Sequence, residues 1–240
     1  MSTDAQQYDE AERDRASSTA NAVRRRWSRS ARLCTGLASL LGVLLLVSVF
    51  VVQPFLIPSS SMTPTLKVGD RVLVNKLAYR TGNSPGRGDV VVFDGRESFV
   101  NEEGADGNPV TGLLREAGAA AGLVRPSETD YVKRVIGVGG DRVRCCDKSG
   151  RIEVNGEPLD EGYLHDGDAP SAVPFDIEVP QGRLWMMGDH RSDSSDSRDH
   201  LGDPGGGTVP VERVIGRADG IAWPMARWGS VHSAGAGAHG

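Results

Sequence analysis

Between Leu33 and Val52 the chain runs for 20 residues, LCTGLASLLGVLLLVSVFVV, without a charged side chain. No other segment limits the fold as strongly. As a helix this run would be about 30 Å long, enough to cross the hydrocarbon core of a bilayer. A cleaved export signal would have a shorter apolar core and a small-x-small site behind it. Here bulky residues follow instead, Gln53-Pro54-Phe55-Leu56-Ile57. The expectation is an uncleaved transmembrane helix over 33–52. Arg24, Arg25, Arg26, Arg29 and Arg32 crowd its upstream end, whereas the first basic residue beyond it is Lys67. Basic residues stay on the cytoplasmic side. Residues 1–32 are therefore expected in the cytoplasm as a disordered tail, polar and without an apolar period at 1–23. The rest is expected outside, on a single-pass anchor in the cell membrane.

The part beyond the run reads as mainly β. Its turn residues are frequent, and its apolar segments are short. Strands are predicted at Asp70–Val74, Asp89–Phe93, Tyr131–Ile136, Asp141–Arg144, Ile152–Val154 and Arg183–Met187. Asn155-Gly156 marks a tight hairpin, because both residues accept positive φ. The expected layout is an antiparallel β domain over 53–228, with an insertion at 97–129 and a flexible tail at 229–240. A short helix is predicted inside the insertion at Leu113–Leu123. The net charge of -5 argues against nucleic acid, which needs a basic face to displace counterions. Three cysteines make no disulfide framework. Cys145 and Cys146 are adjacent and are expected as free thiols.

Ile57-Pro58-Ser59-Ser60-Ser61-Met62-Thr63-Pro64-Thr65-Leu66 sets three serines between two prolines. The prolines restrict the backbone on both sides. A rigid loop with exposed hydroxyls suits a nucleophile, which needs a held geometry; a plain polar linker is the other reading. Ser61 follows Val52 so closely that even an extended chain reaches only about 30 Å, which keeps it near the membrane surface.

A serine nucleophile needs a base. His190 and His200 lie among Asp189, Asp193, Asp196, Asp199 and Asp203. An SxxK lysine is absent, since no lysine has serine three residues before it. Lys133 is the remaining candidate. Strand alternation places Tyr131 and Val135 on its face, and a poorly solvated ammonium has a lowered pKa. A snorkelling surface lysine fits the same pattern. Gly82-Asn83-Ser84-Pro85-Gly86 matches GxSxG but is a turn: Pro85 has no N–H for an oxyanion, and a strand follows rather than a helix.

Four blocks in this order resemble bacterial type I signal peptidases, particularly actinobacterial ones. They are Pro58–Leu66; Gly69–Lys76; Tyr131–Gly137 with Gly140-Asp141; and Gly188–Arg198, GDHRSDSSDSR. The resemblance implies a signal-peptidase-type catalytic domain of antiparallel β-sheets. It implies a serine endopeptidase that removes signal peptides from exported preproteins after small P1 residues, of the Ala-x-Ala type. Ser61 matches the nucleophile and Lys133 the general base. Ser59 matches an oxyanion-hole hydroxyl, and Ser194 a serine that orients the lysine. Asp189, Asp196, Arg198 and Arg134 match a bracing charged network. Ile57, Met62, Leu66, Tyr131 and Val132 fall where the family lines its substrate pockets, which select by excluding larger side chains. The implied partners are signal peptides, the lipid bilayer and, transiently, the export machinery; no cofactor or metal is implied. His190 stands where many members have asparagine, which keeps a Ser-His-Asp hydrolase using His190 or His200 open. A non-catalytic membrane-anchored β domain that only binds exported chains is the other alternative.

Overall fold

A computed structural model describes residues 31–43, 51–80, 82–96, 98–99 and 129–231. Residues 31–43 are helical and their side chains exposed. Among the described residues no helix is long and apolar enough to cross a membrane. The expected span is thus described only in part, because residues 44–50 fall outside. Its far end is corrected: Val52 already belongs to a strand, β1 (Val52–Leu56), because it pairs with Asn75. Residues 1–30, the predicted helix Leu113–Leu123 and residues 232–240 lie outside the described residues.

The β unit contains two antiparallel sheets. After β1 come β2 (Arg71–Asn75), β3 (Val90–Asp94), β4 (Asp130–Val138), β5 (Arg142–Cys145), β6 (Ile152–Val154) and β7 (Glu157–Pro158). Then follow β8 (Phe175–Glu178), β9 (Arg183–Met187), β10 (Val209–Pro210), β11 (Val214–Trp223) and β12 (Gly229–Ser230). The large sheet has the order β1-β2-β11-β3-β4-β9-β10, with β12 paired to β11; the small one is β7-β6-β5-β8. All six predicted strands are present; Ile152–Val154 and Arg183–Met187 match at both ends, and the other four have shifted ends. Besides β1, the structure adds the short β7, β8 and β10, the long β11 between β2 and β3, and β12, which draws Gly229 and Ser230 out of the expected tail.

Local chemistry explains the joints. Asn155 and Gly156 both have positive φ, 56° and 84°, the requirement of a two-residue hairpin whose twist matches its strands. Gly137 lies where the small sheet crosses β4. A Cβ there would stand 2.5 Å from Val143 Cγ2, so only glycine permits this approach. Val91, Phe93, Val135, Leu184 and Met186 form one core. Phe55, Ile57, Met62, Leu66, Val72, Val74 and Val132 form a second, which seats the serine loop. Cys145 and Cys146 are joined as a disulfide across a cis peptide bond. This corrects the expectation of free thiols: the two sulfurs meet where β5 ends.

Candidate active site

The serine loop is a closed excursion between two paired strands. Ile57 N–H donates to the Asp70 carbonyl at 2.9 Å, and Gly69 N–H to the Ile57 carbonyl at 2.9 Å. The loop's neck therefore continues the β1–β2 ladder. Inside it, Thr63 N–H donates to Ser60 O and Leu66 N–H to Met62 O. Apolar Ile57, Met62 and Leu66 point into the core and leave the serines outside it. The hydroxyls are not uniformly exposed, as the sequence suggested. Ser59 is exposed and Ser60 half-buried, whereas Ser61 retains only 8% of its accessible surface. The Ser61 and Ser59 hydroxyls pair at 3.2 Å.

Lys133 stands on β4 opposite Val91 of β3. Only 3% of it is accessible. Desolvation lowers its pKa from 10.5 to about 8; Asp196 pulls the other way and Arg198 adds to the lowering. Removal from water outweighs the nearby carboxylate, because the charged form loses its hydration. The snorkelling alternative is thereby excluded. Lys133 Nζ donates to Ser194 Oγ at 2.9 Å, and Ser194 Oγ donates to Asp196 Oδ2 at 2.8 Å. Arg198 holds both Asp196 oxygens at 2.8 Å, and Gly188 N–H donates to Oδ2 at 3.0 Å. Burial would raise the Asp196 pKa, yet these hydrogen bonds and the guanidinium charge hold it below the usual carboxylate value.

Gly188 links this chain of groups to the serine loop. A Cβ on it would lie 2.2 Å from Ser194 Oγ and 2.5 Å from the Ser61 carbonyl oxygen. Both are inside van der Waals contact, so Ser61 and the acceptor of the lysine proton are near neighbours across one bare backbone. His190 N–H also donates to Ser61 O at 3.1 Å.

A second brace lies beside the first. Arg134 follows Lys133 on β4, so its side chain leaves the opposite face. It grips Asp189 through two bonds, Nε to Oδ1 at 2.8 Å and Nη2 to Oδ2 at 2.6 Å, with both residues buried. Thr65 donates its hydroxyl to Asp189 and receives Arg134 Nη2 at 3.3 Å. The buried bidentate pair, the strong form of charge-assisted bonding, thus ties Asp189 to β4, and Thr65 joins the serine loop to both. Tyr163 lies under the Arg134 guanidinium, 4.0 Å from carbon to ring centroid.

The structure brings the expected residues together unevenly. Ser59, Ser61, Lys133, Ser194, Asp196 and Arg198 share one neighbourhood, and Arg134 and Asp189 brace it. Ile57, Met62, Leu66 and Val132 share one apolar cluster. Tyr131 does not join them; it stacks on Phe93 at 5.8 Å and meets Phe99 edge-on at 5.4 Å in the other core. The imidazoles are engaged elsewhere. His190 stacks on His165, and His200 pairs with Asp203 at 2.7 Å and stacks on Phe99. Among the described residues neither ring has the Ser61 hydroxyl as a hydrogen-bond partner, which removes the support for a Ser-His-Asp reading. Sequence reasoning missed Thr65, Gly188 and Tyr163 as site residues. Thr65 and Gly188 lie inside motif blocks and were findable there; nothing in the sequence marks Tyr163.

The structure thus sets a serine-bearing loop beside a desolvated amine in an antiparallel β framework. Residues 30–223 match the model of the family described as signal peptidase, peptidase S26. A probable signal peptidase I of Mycobacterium leprae is 42% identical over 221 residues, covering 80% of this chain and 76% of that one. The signal peptidase I of Mycobacterium tuberculosis is 46% identical over 205 residues, covering 77% and 69%. A solved signal peptidase I from Enterococcus faecalis, 22% identical, covers 56% of this chain and 97% of its own with a TM-score of 0.35, too distant a superposition to carry residues across. The chain belongs to the signal peptidase family, peptidase S26, and is an enzyme of that family.

Proposed function

We propose that this protein is a membrane-tethered serine endopeptidase that removes signal peptides from exported preproteins, with Ser61 as nucleophile and Lys133 as general base. The observation that carries the chemistry is the buried Lys133 amine, poised near neutrality in charge and hydrogen-bonded to Ser194 next to the Ser61 loop. Membership of the family and its mycobacterial relatives supports the substrate class. The uncharged run 33–52 with arginines on one side supports the tether and the outward-facing domain.

The steps follow from these groups. Neutral Lys133 Nζ takes the Ser61 hydroxyl proton as Oγ attacks the P1 carbonyl carbon. The oxyanion is stabilised by the Ser61 N–H and the Ser59 hydroxyl. Collapse breaks the C–N bond, and the leaving amine takes the proton from the Lys133 ammonium. An ester to Ser61 remains. Neutral Lys133 then takes a proton from water, the hydroxide attacks the ester, and the proton returns to Ser61 Oγ. Ser194 holds the lysine in line, because its hydroxyl is fixed by Asp196. Small P1 residues are selected because Ile57, Met62, Leu66 and Val132 are packed in the core and leave little depth beside the loop.

A preprotein with an Ala-x-Ala site tests this. Ser61→Ala and Lys133→Ala each abolish cleavage, while the double variant His190→Ala/His200→Ala keeps it. Cleavage retained by Lys133→Ala would overturn the reading, and cleavage lost only with the histidines would favour the rival base.

A further inference from the structure

Beside the serine loop stands a group of side chains that the hydrolytic chemistry does not use. The His165 and His190 rings stack with centroids 3.9 Å apart and planes 17° apart. Asp168 completes the group: one ligand-capable atom from each of the three lies within 4.8 Å of the others, and all three residues are half-buried. The backbone holds them there. His165 N–H donates to Asp189 O at 3.0 Å, and Asp168 N–H to His165 O at 3.0 Å. Ser192 aims the Asp168 carboxylate through its hydroxyl, 2.7 Å to Oδ1, and its N–H, 3.2 Å to Oδ2.

We propose that His165, Asp168 and His190 form a binding site for a divalent transition-metal ion, of which zinc is the natural probe, and that its occupancy restrains the Ser61 loop. Two imidazoles and one carboxylate are a ligand set that zinc accepts, with water in the fourth position. Half-burial leaves room for that water. Imidazole with carboxylate also favours zinc, nickel or copper over calcium and magnesium. Zinc–nitrogen bonds are about 2.0–2.1 Å, so binding draws the three groups together and turns the stacked rings until their lone pairs converge. The Ser192 bonds are the outer support that such sites use to aim a ligand.

The coupling to Ser61 is local. His190 N–H holds the Ser61 carbonyl, and its Nδ1 lies 3.5 Å from Thr63 Oγ1 and 3.8 Å from Asp193 Oδ2. Asp193 in turn accepts the Ser60 hydroxyl. Drawing the His190 ring toward Asp168 takes it from Thr63 and shifts the loop on which the nucleophile sits. The expected effect is reversible inhibition.

The test uses the full chain in detergent micelles, stripped of metal, with zinc titrated against a chromophoric chelator. One zinc per chain is expected, and His165→Gln and Asp168→Asn each weaken it by about 10–100-fold. A parallel protein with His232→Ala and His239→Ala, which removes the imidazoles of the terminal tail, keeps the binding. Absence of zinc binding, or binding untouched by His165→Gln and Asp168→Asn, overturns the site. Metal-free preprotein cleavage by these two variants, equal to wild type, shows that they are folded. Cleavage by wild type falls on adding zinc and that of His165→Gln does not; equal zinc sensitivity of the two overturns the coupling. That last arm rests on the proposed peptidase activity. The chelator titration needs no substrate, so failure of the metal site and failure of the peptidase reading are told apart.

Discussion

Replacing Lys133 by methionine should stabilise the fold at neutral pH, and the gain should vanish in alkali. The folded chain holds the Lys133 pKa at about 8 against 10.5 for a solvated lysine. At about 1.4 kcal/mol per pH unit, keeping the ammonium buried costs roughly 3 kcal/mol. Below pH 8 the lysine is protonated both folded and unfolded, so the whole cost is present. Between 8 and 10.5 the folded chain is neutral while the unfolded chain still binds the proton, so stability climbs with pH. Above 10.5 neither state is charged and the cost is gone. Methionine fills a similar volume without charge, and Ser194 keeps its bond to Asp196. Urea midpoints for wild type and Lys133→Met, measured in micelles from pH 7 to 10.5, isolate the effect, since other titrating groups cancel in the difference. Wild type should gain on the variant by roughly 3 kcal/mol across that range. Stability curves that stay parallel would refute the argument, because they would mean a solvated ammonium.

The same pKa shapes activity: with a neutral amine required, single-turnover acylation should fall about tenfold per pH unit below 8, and a rate flat down to pH 6 would contradict it. Gly188→Ala should lower kcat/KM about 10²-fold or more, because the added methyl collides with Ser194 Oγ and Ser61 O and displaces both by a fraction of an ångström or more; preprotein cleavage with circular dichroism of the variant separates this from misfolding. Asp189→Ala should cost about 3–5 kcal/mol in urea denaturation, because it leaves the Arg134 guanidinium buried and without its bidentate partner.

Alternation and turn chemistry made much of the β unit legible. β2, β5 and β6 carry apolar residues at the strand period, β3 and β9 are short apolar stretches, and Asn155-Gly156 can hardly be anything but a tight turn. The strands that escaped lack those signals. β11 carries Gly216 and Gly220 and the charges Arg217 and Asp219 within its length. It is a strand because β2 and β3 flank it, and Gly216 is required because the Asn75 carbonyl would stand 2.6 Å from a Cβ. β1 starts on the last residue of the apolar run and contains Gln53 and Pro54, and its pairing with β2 is what marks it as a strand.

The long apolar run shows the same division. Its length and its flanking arginines are properties of the sequence alone, because hydrophobic length and charge asymmetry need no partner to be read. Where the run yields to the β unit was decided by tertiary pairing, which claimed Val52 for a strand. At the site, the proline-framed serines are visible in the chain, and the family pattern singles out Lys133. What makes that lysine a candidate base is the surrounding structure. β11 sits between the hairpin that carries Ser61 and the strands that carry Lys133, and so sets the spacing of the two. Burial strips the ammonium of water, and Gly188 lets the groups close on each other. Desolvation is a sum over neighbours distant in sequence, so no local pattern could have stated it.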